Sequence, residues 1–387
     1  MVAGTLAGCG AGDEATEPAD PAPAPPSADQ RSPFFAVNGN VLFTQLLEGR
    51  APLLESHLAQ IAAAPISSVR ASLDWRRVEP TDPGGGAHIY NFSSHDTWVA
   101  ALAEHDLRWD PTILGFPVPP WATDPDAAAA CESRSPPAAV ADYAAFAAAL
   151  AERYGRGGSF WQEHPSLPEL PVVQYEIWNE PNYGSFWCPA PDPPAYAELL
   201  RGSAAAIRAV DPRARIVLGG LAPFPESDSD AAPAYMSLAD FVDALTAADQ
   251  TVPDYVDAVG IHTYGEDATA AFAAVVVARA AIDQAGFEDK PIVLNEAGWP
   301  SQGSQGGFTA VEDEATRAGA IAELTERVFA ARDGLDIRQF APYTWVSESA
   351  DATDQEHWFG LADPATGAPY EAGAAYRDAV ERLSSRP

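Results

Sequence analysis

Eight times between residues 34 and 387, a short run rich in Val, Ile, Leu or aromatic residues is followed by a longer stretch of helical character. This alternation constrains the fold more than any other feature of the chain. The predicted strands are Phe34–Val37, Ser68–Leu73, Leu107–Leu114, Val172–Trp178, Arg215–Gly219, Val256–His262, Pro291–Asn295 and Ile337–Trp345. The predicted helices lie near residues 51–64, 97–104, 138–154, 195–210, 238–247, 270–285, 312–331 and 371–383. The strand runs are short, largely apolar and rich in Val, Ile and Leu, the pattern of strands buried on both faces in a parallel sheet. Eight strict strand–helix pairs predict a (β/α)8 barrel rather than a doubly wound sheet. The 387 residues could hold two ordinary domains,. No linker interrupts 34–387, so one barrel domain is expected there. No apolar run reads as the ~20 residues of a membrane-spanning helix.

The charge balance narrows the partners. There are 55 Asp and Glu against 22 Lys and Arg, a net charge of −33, and Lys290 is the only lysine. Such a surface repels phosphate backbones, which argues against nucleic acid, and it disfavours polyanionic substrates. Neutral sugars are unaffected. The sequence holds no clustered metal-ligand spacing, phosphate-binding glycine loop or nucleotide motif, so neither a metal nor another cofactor is expected.

In (β/α)8 barrels chemistry sits at the C-terminal ends of the strands. Two glutamates fall there. The fourth predicted strand runs into Trp178-Asn179-Glu180-Pro181, and the seventh into Asn295-Glu296-Ala297-Gly298-Trp299. Two carboxyl groups facing one another across a cleft are what glycosidic cleavage requires. A lone strand-end glutamate would more simply be half of an ion pair; two within aromatic-rich segments point to catalysis.

Trp178-Asn179-Glu180-Pro181 resembles the acid/base signature of the clan A glycoside hydrolases, retaining enzymes in which a second glutamate ends strand seven as nucleophile. The wording is most similar to family 39 and its bacterial exopolysaccharide-hydrolysing relatives. The resemblance runs through Val69-Arg70, Trp75, Val78-Glu79-Pro80, Pro120-Trp121, Tyr175–Asn182, His262-Thr263-Tyr264, Lys290–Trp299 and Trp358-Phe359-Gly360-Leu361. Glu296-Ala297-Gly298-Trp299-Pro300-Ser301 also resembles the nucleophile segment of family 17 β-1,3-glucanases. Asn295 stands where family 39-like sequences commonly carry threonine.

The resemblance implies roles. Glu180 is the expected general acid/base, kept protonated by burial and by the charge of Glu296. Glu296 is the expected nucleophile. Arg70 resembles the clan's nucleophile-binding arginine and is expected to lower the Glu296 pKa; an interior ion pair with Glu176 is an equal alternative. Asn179 is expected to bind the sugar 2-hydroxyl, and Tyr264 to orient the nucleophile. His262 points either into the barrel mouth or into the core. Among ten tryptophans, Trp75, Trp121, Trp178, Trp187, Trp299, Trp345 and Trp358 fall at or just after strand ends. Flat rings there suit pyranose faces; Trp75, Trp121, Trp299 and Trp345 are the substrate candidates. Trp98, Trp109 and Trp161 are expected in the core, and Trp178 partly so.

The implied function is a retaining hydrolase of β-linked neutral poly- or oligosaccharides. A family 17-like β-1,3-glucanase is the rival enzyme reading. A non-catalytic carbohydrate-binding lipoprotein is a third, weakened by the presence of both glutamates. The cysteines bear on location. Leu6-Ala7-Gly8-Cys9 resembles a bacterial lipobox, which makes residues 1–9 the remnant of a lipoprotein signal and Cys9 a lipidation candidate. Residues 10–33, rich in Ala, Pro and acidic residues, read as a disordered tether. Membrane contact is expected only through Cys9, with the barrel outside the cytoplasm. There, Cys131 and Cys188, in the loops after strands three and four, can pair.

Overall fold

A computed structural model describes Met1 and residues 31–385, apart from 115–116, 125, 127–130, 132–133, 229–233, 312 and 349–352. The lipobox at Cys9 and residues 10–30 of the expected tether lie outside the described residues. The strands are β1 (Ser32–Asn38), β2 (Ile66–Asp74), β3 (Arg108–Leu114), β4 (Gln174–Ile177), β5 (Arg215–Leu221), β6 (Ala258–Thr263), β7 (Ile292–Ala297) and β8 (Ile337–Phe340). They pair in parallel, in sequence order, and close between β8 and β1. This is the (β/α)8 barrel that the alternation predicts.

Helices α1 (Asn40–Leu47) and α2 (Ala51–Ala62) follow β1, and each later strand feeds one long helix. These are α3 (Ser93–Glu104), α4 (Val140–Tyr154), α5 (Pro193–Val210), α6 (Leu238–Ala248), α7 (Ala268–Ile282), α8 (Glu314–Ala331) and α9 (Glu371–Ser384). Four in succession start on a side-chain cap: Asp192, Ser237, Asp267 and Asp313 each accept from a backbone N–H three residues on. Such caps satisfy the orphan donors of a first helical turn and fix where each loop ends.

Three boundaries differ from the sequence expectation, each for a local reason. Strand β1 starts at Ser32, inside the segment read as tether. Arg31 anchors it, donating to the carbonyls of Ala64, Ile66 and His105 at 2.9–3.1 Å. Strand β4 stops before Trp178, whose φ of +70° is left-handed. Strand β8 stops at Phe340, because Pro342 has no N–H for the ladder,. One further reading needs correction. By length and composition, the helical stretch Ala268–Phe287 is apolar enough to cross a membrane. Here it is a wall of the barrel, packed against β6 and the neighbouring helices α6 and α8.

The main apolar core lies between the strands and the helices and contains Trp75, Trp98, Trp109, Trp161 and Trp178. Inside the barrel, one side is polar: Gln339 donates to Asp110 at 2.7 Å and Gln174 to Gln339 at 3.1 Å. Val217, Ala258 and Val293 form a separate small apolar cluster. Cys131 and Cys188 are bonded, with Cα atoms 5.7 Å apart and a sequence separation of 57. Closing a loop of that size contributes about 4 kcal/mol on the chain-entropy view. The bond braces the loops after β3 and β4 at the rim.

Candidate active site

The end of β4 places Glu180 through an unusual turn. Trp178 and Glu180 both have left-handed backbones, φ +70° and +45°. Side chains rarely adopt this geometry, which costs on the order of 1–3 kcal/mol and is held only where the surroundings over-determine it. Two contacts do so. A Cβ at Gly219 would lie 2.5 Å from the Trp178 carbonyl oxygen, so only glycine lets the turn close against β5. Gly220 then accepts the Glu180 N–H at 2.9 Å. The Trp178 ring is wholly buried and donates from Nε1 to the Phe186 carbonyl at 2.9 Å.

Glu296, in β7, faces this turn. Its Oε1 accepts from Arg70 at 2.7 Å and its Oε2 from the Tyr264 hydroxyl at 2.8 Å. Burial, then the charge of Glu296, raises the Tyr264 phenol far above its ordinary value, so it remains a donor. Arg70 binds both of the partners open in the sequence, Glu296 and Glu176. It also forks onto Glu176 at 2.7 and 2.8 Å, and reaches Asn38 at 2.8 Å and Asn179 at 2.9 Å. Burial alone would raise the Glu176 carboxyl, but the Arg70 charge and hydrogen bonds outweigh it and hold Glu176 below the usual carboxylate range. Asn38 and Glu176 are thus part of the site, and both were missed as such by sequence reasoning. The signal available was polarity inside otherwise apolar strands.

This network makes Arg70 a keystone. Arg70→Leu strands two buried carboxylates without a counter-charge, and breaking a buried pair costs about 3–5 kcal/mol. Urea unfolding of the variant is expected to show that loss; an unchanged midpoint would remove Arg70 from this role.

His262, in β6, joins the two glutamates. Its Nδ1 lies 2.7 Å from Glu180 Oε1 and 3.4 Å from Glu296 Oε2. It is therefore part of the site and not a core histidine. Burial raises the Glu180 carboxyl above its ordinary value, the His262 hydrogen bond opposes this, and the Glu296 charge adds to the rise. Burial lowers the His262 imidazole, and the charges of Glu296 and of an ionised Glu180 lift it; when Glu180 holds the shared proton, its share of that lift is gone. Glu180 and Glu296 each bring an oxygen within 4.8 Å of the other. The same three side chains are spaced to hold a cation. Arg70, in contact with Glu296, already supplies a fixed positive charge there, which opposes a second one.

The cleft above has a volume of about 420 Å³ and is lined by the loops after β4 to β7. Tyr183 and Phe224, packed edge-on at 5.0 Å, form one wall. Tyr264, Trp299 and Phe308 form another. Trp299 shows the cleft only an edge, being 2% exposed with Nε1 bonded to the Gly265 carbonyl. Asn179 uses its Oδ1 on Arg70, which turns the amide nitrogen away from that bond.

Two tryptophans are not where a sugar can reach. Trp75 and Trp345 have no exposed surface; their Nε1 groups donate to Glu79 and His57. Each packs into the layer behind the strands, which corrects their expected role in substrate contact. Trp121 is half-buried, edge-on to Trp75 and bonded to the Glu79 carbonyl, away from the residues that line the cleft. Tyr183, Phe224 and Phe308 take the aromatic role instead; they sit in loops, where sequence carries no periodic signal. A third carboxyl also belongs here. Glu356 accepts from the Tyr343 hydroxyl at 3.0 Å. Burial first, and then Glu296 and Glu180 among neighbouring charges, push it up to about 7.

No family model and no curated protein sequence matches the chain. Many solved structures share its fold. A GH39 beta-xylosidase from Caulobacter crescentus superposes with a TM-score of 0.58 at 20% identity, covering 92% of this chain and 72% of that one. The GH39 enzyme from Xanthomonas axonopodis pv. citri gives 0.61 at 19% identity, covering 92% and 67%. A GH5_18 variant from Streptomyces cattleya, solved in complex with Manb1-4GlcNAc, gives 0.62 at 19% identity, covering 92% and 82%. At these identities the likeness is one of fold, and these are barrels of the kind the sequence resemblance implied.

Proposed function

We propose that this chain is a retaining glycoside hydrolase that cleaves β-glycosidic bonds of a neutral poly- or oligosaccharide by double displacement. The observation that carries this is the facing pair, Glu180 and Glu296, with carboxyl oxygens within 4.8 Å. The two environments differ in the way the chemistry needs. Glu296 accepts from Arg70 and Tyr264, which fixes both of its oxygens for attack on the anomeric carbon. Glu180 has a raised pKa, which suits a proton donor,.

In the first step a Glu296 oxygen bonds to the anomeric carbon while the glycosidic C–O bond breaks, and Glu180 gives its proton to the leaving oxygen. In the second, water bonds to the anomeric carbon, Glu180 takes the water's proton, and Glu296 leaves. Asn179 and the Tyr183–Phe224 and Trp299–Phe308 walls hold the sugar. Two structural neighbours, a beta-xylosidase and an enzyme in complex with Manb1-4GlcNAc, support β-linked neutral sugars. The net charge of −33 supports the exclusion of polyanions,. Release of aryl alcohol or reducing ends from aryl β-xyloside, β-mannoside and β-glucoside, xylan, mannan, β-1,3-glucan and bacterial exopolysaccharide tests the reading. Turnover of at least one is expected; inertness towards all would sink it.

We also propose that the barrel works outside the cytoplasm, tethered through Cys9. The Cys131–Cys188 bond supports an oxidising compartment,. With its export signal intact, the wild type is expected in the membrane fraction and Cys9→Ser in the soluble one. Equal distribution of the two would remove the anchor.

A further inference from the structure

Behind His262, on the side away from Glu180, three polar atoms lie buried without a protein partner. They are His262 Nε2 and both amide atoms of Asn295, a residue only 1% exposed. Two glycines make room for them. A Cβ at Gly220 would lie 2.1 Å from His262 Nε2 and 3.0 Å from Asn295 Oδ1. One at Gly260 would lie 3.1 Å from Asn295 Nδ2. Nε2 and Asn295 Oδ1 therefore lie on the same side of Gly220 and within about 5 Å of each other, no farther than a single water can join,. Buried polar groups in native proteins are almost always satisfied, by protein or by bound water.

The hydrogen bond between His262 Nδ1 and Glu180 Oε1 holds one proton. If Glu180 carries it, Nδ1 is the acceptor, and a neutral imidazole must carry its own proton on Nε2. That N–H then needs an acceptor on the Asn295 side. If Nδ1 carries the proton and the ring is neutral, Nε2 is bare and Glu180 is ionised. The group opposite Nε2 thus selects where the shared proton rests. The charged groups facing the imidazole are Glu180 after β4, Glu176 within β4, Glu296 in β7 and Arg70 in β2.

We propose that Asn295, through one bound water, accepts the Nε2–H of His262 and so acts as a positioning residue that keeps the shared proton on Glu180. The inference rests on Glu180 being the acid of the proposed hydrolysis, but its test does not. It also gives Asn295 a purpose at a position where threonine is common in the sequences it resembles.

Nitrogen NMR of ¹⁵N-histidine-labelled protein, with His262 assigned by its loss in His262→Gln, reads the tautomer directly. In the wild type at neutral pH, Nδ1 is expected bare and Nε2 protonated. Asn295→Leu, close in shape and without an acceptor, is expected to move the proton to Nδ1, while Asn295→Thr keeps the wild-type pattern. In kcat/KM for an aryl glycoside with a poor leaving group, Asn295→Leu is expected to shift the basic limb down by about one pH unit. With a dinitrophenyl leaving group its rate is expected to stay close to wild type. A wild-type ring protonated on both nitrogens, or a tautomer and basic limb unchanged in Asn295→Leu, would overturn the proposal. A wild type with the expected tautomer that cleaves no glycoside would instead overturn the hydrolase reading and leave this one standing. The wild-type spectrum alone decides the tautomer if Asn295→Leu does not fold.

Discussion

Glu296→Gln is expected to lower turnover of an aryl β-glycoside by on the order of 10⁴-fold or more, for good and poor leaving groups alike. The amide keeps the size of the carboxylate; its oxygen can still accept from Arg70, while its NH2 faces the Tyr264 hydroxyl, which can turn to accept,. It cannot form the covalent glycosyl ester, so no leaving group compensates. The variant also leaves the Arg70 charge with one carboxylate, Glu176, instead of two. Folding should survive, because the Glu176 fork is intact. Steady-state rates on dinitrophenyl and methyl glycosides, beside a melting curve, check this. A loss of less than tenfold on either substrate would take the nucleophile role from Glu296.

Glu180→Gln is expected to behave differently, and the difference identifies the acid. For a poor leaving group the loss should be about 10²–10⁴-fold, the usual contribution of a positioned proton donor. For dinitrophenolate, which leaves without a proton, the first step should be nearly untouched, and glycosyl-enzyme should accumulate because no base activates water. A burst followed by slow turnover is the expected trace. Azide, which needs no base, should restore the steady state and yield the β-glycosyl azide. The pH profile supplies the sign. The raised Glu180 pKa keeps the acid protonated to higher pH, so wild-type kcat/KM falls only as pH rises through that raised value,. In Glu180→Gln that basic limb should vanish. A limb that persists would assign it to another group, with Glu356, pushed up to about 7, the nearest alternative.

The barrel was legible because its strands are apolar on both faces and its helices are long. Those two periods alternate without a break from β1 to β8, so existence and order followed from pattern alone. Ends were less legible, because they depend on single residues. Pro342 truncates β8, the left-handed Trp178 truncates β4, and Arg31 extends β1 into a segment whose composition reads as tether. The glutamate pair was legible because the strand ends predict where chemistry sits and the residues there are unusual. Arg70 was ambiguous because a guanidinium has enough donors for both of its candidate partners, and it uses them on both. The tryptophans misled, since position at a strand end does not fix the face a ring presents: Trp75 and Trp345 turn into the helix layer. The cleft walls at Tyr183, Phe224 and Phe308, and the carboxyl of Glu356, were illegible because loop conformation alone brings them to the mouth.

The most direct test of the double-displacement account is the anomer released first. A proton NMR time course of an aryl β-glycoside, begun before mutarotation, should show the β-hemiacetal appearing first and the α-anomer growing in later. An α-anomer as the first product would mean single displacement with inversion, and would contradict the roles assigned to Glu180 and Glu296.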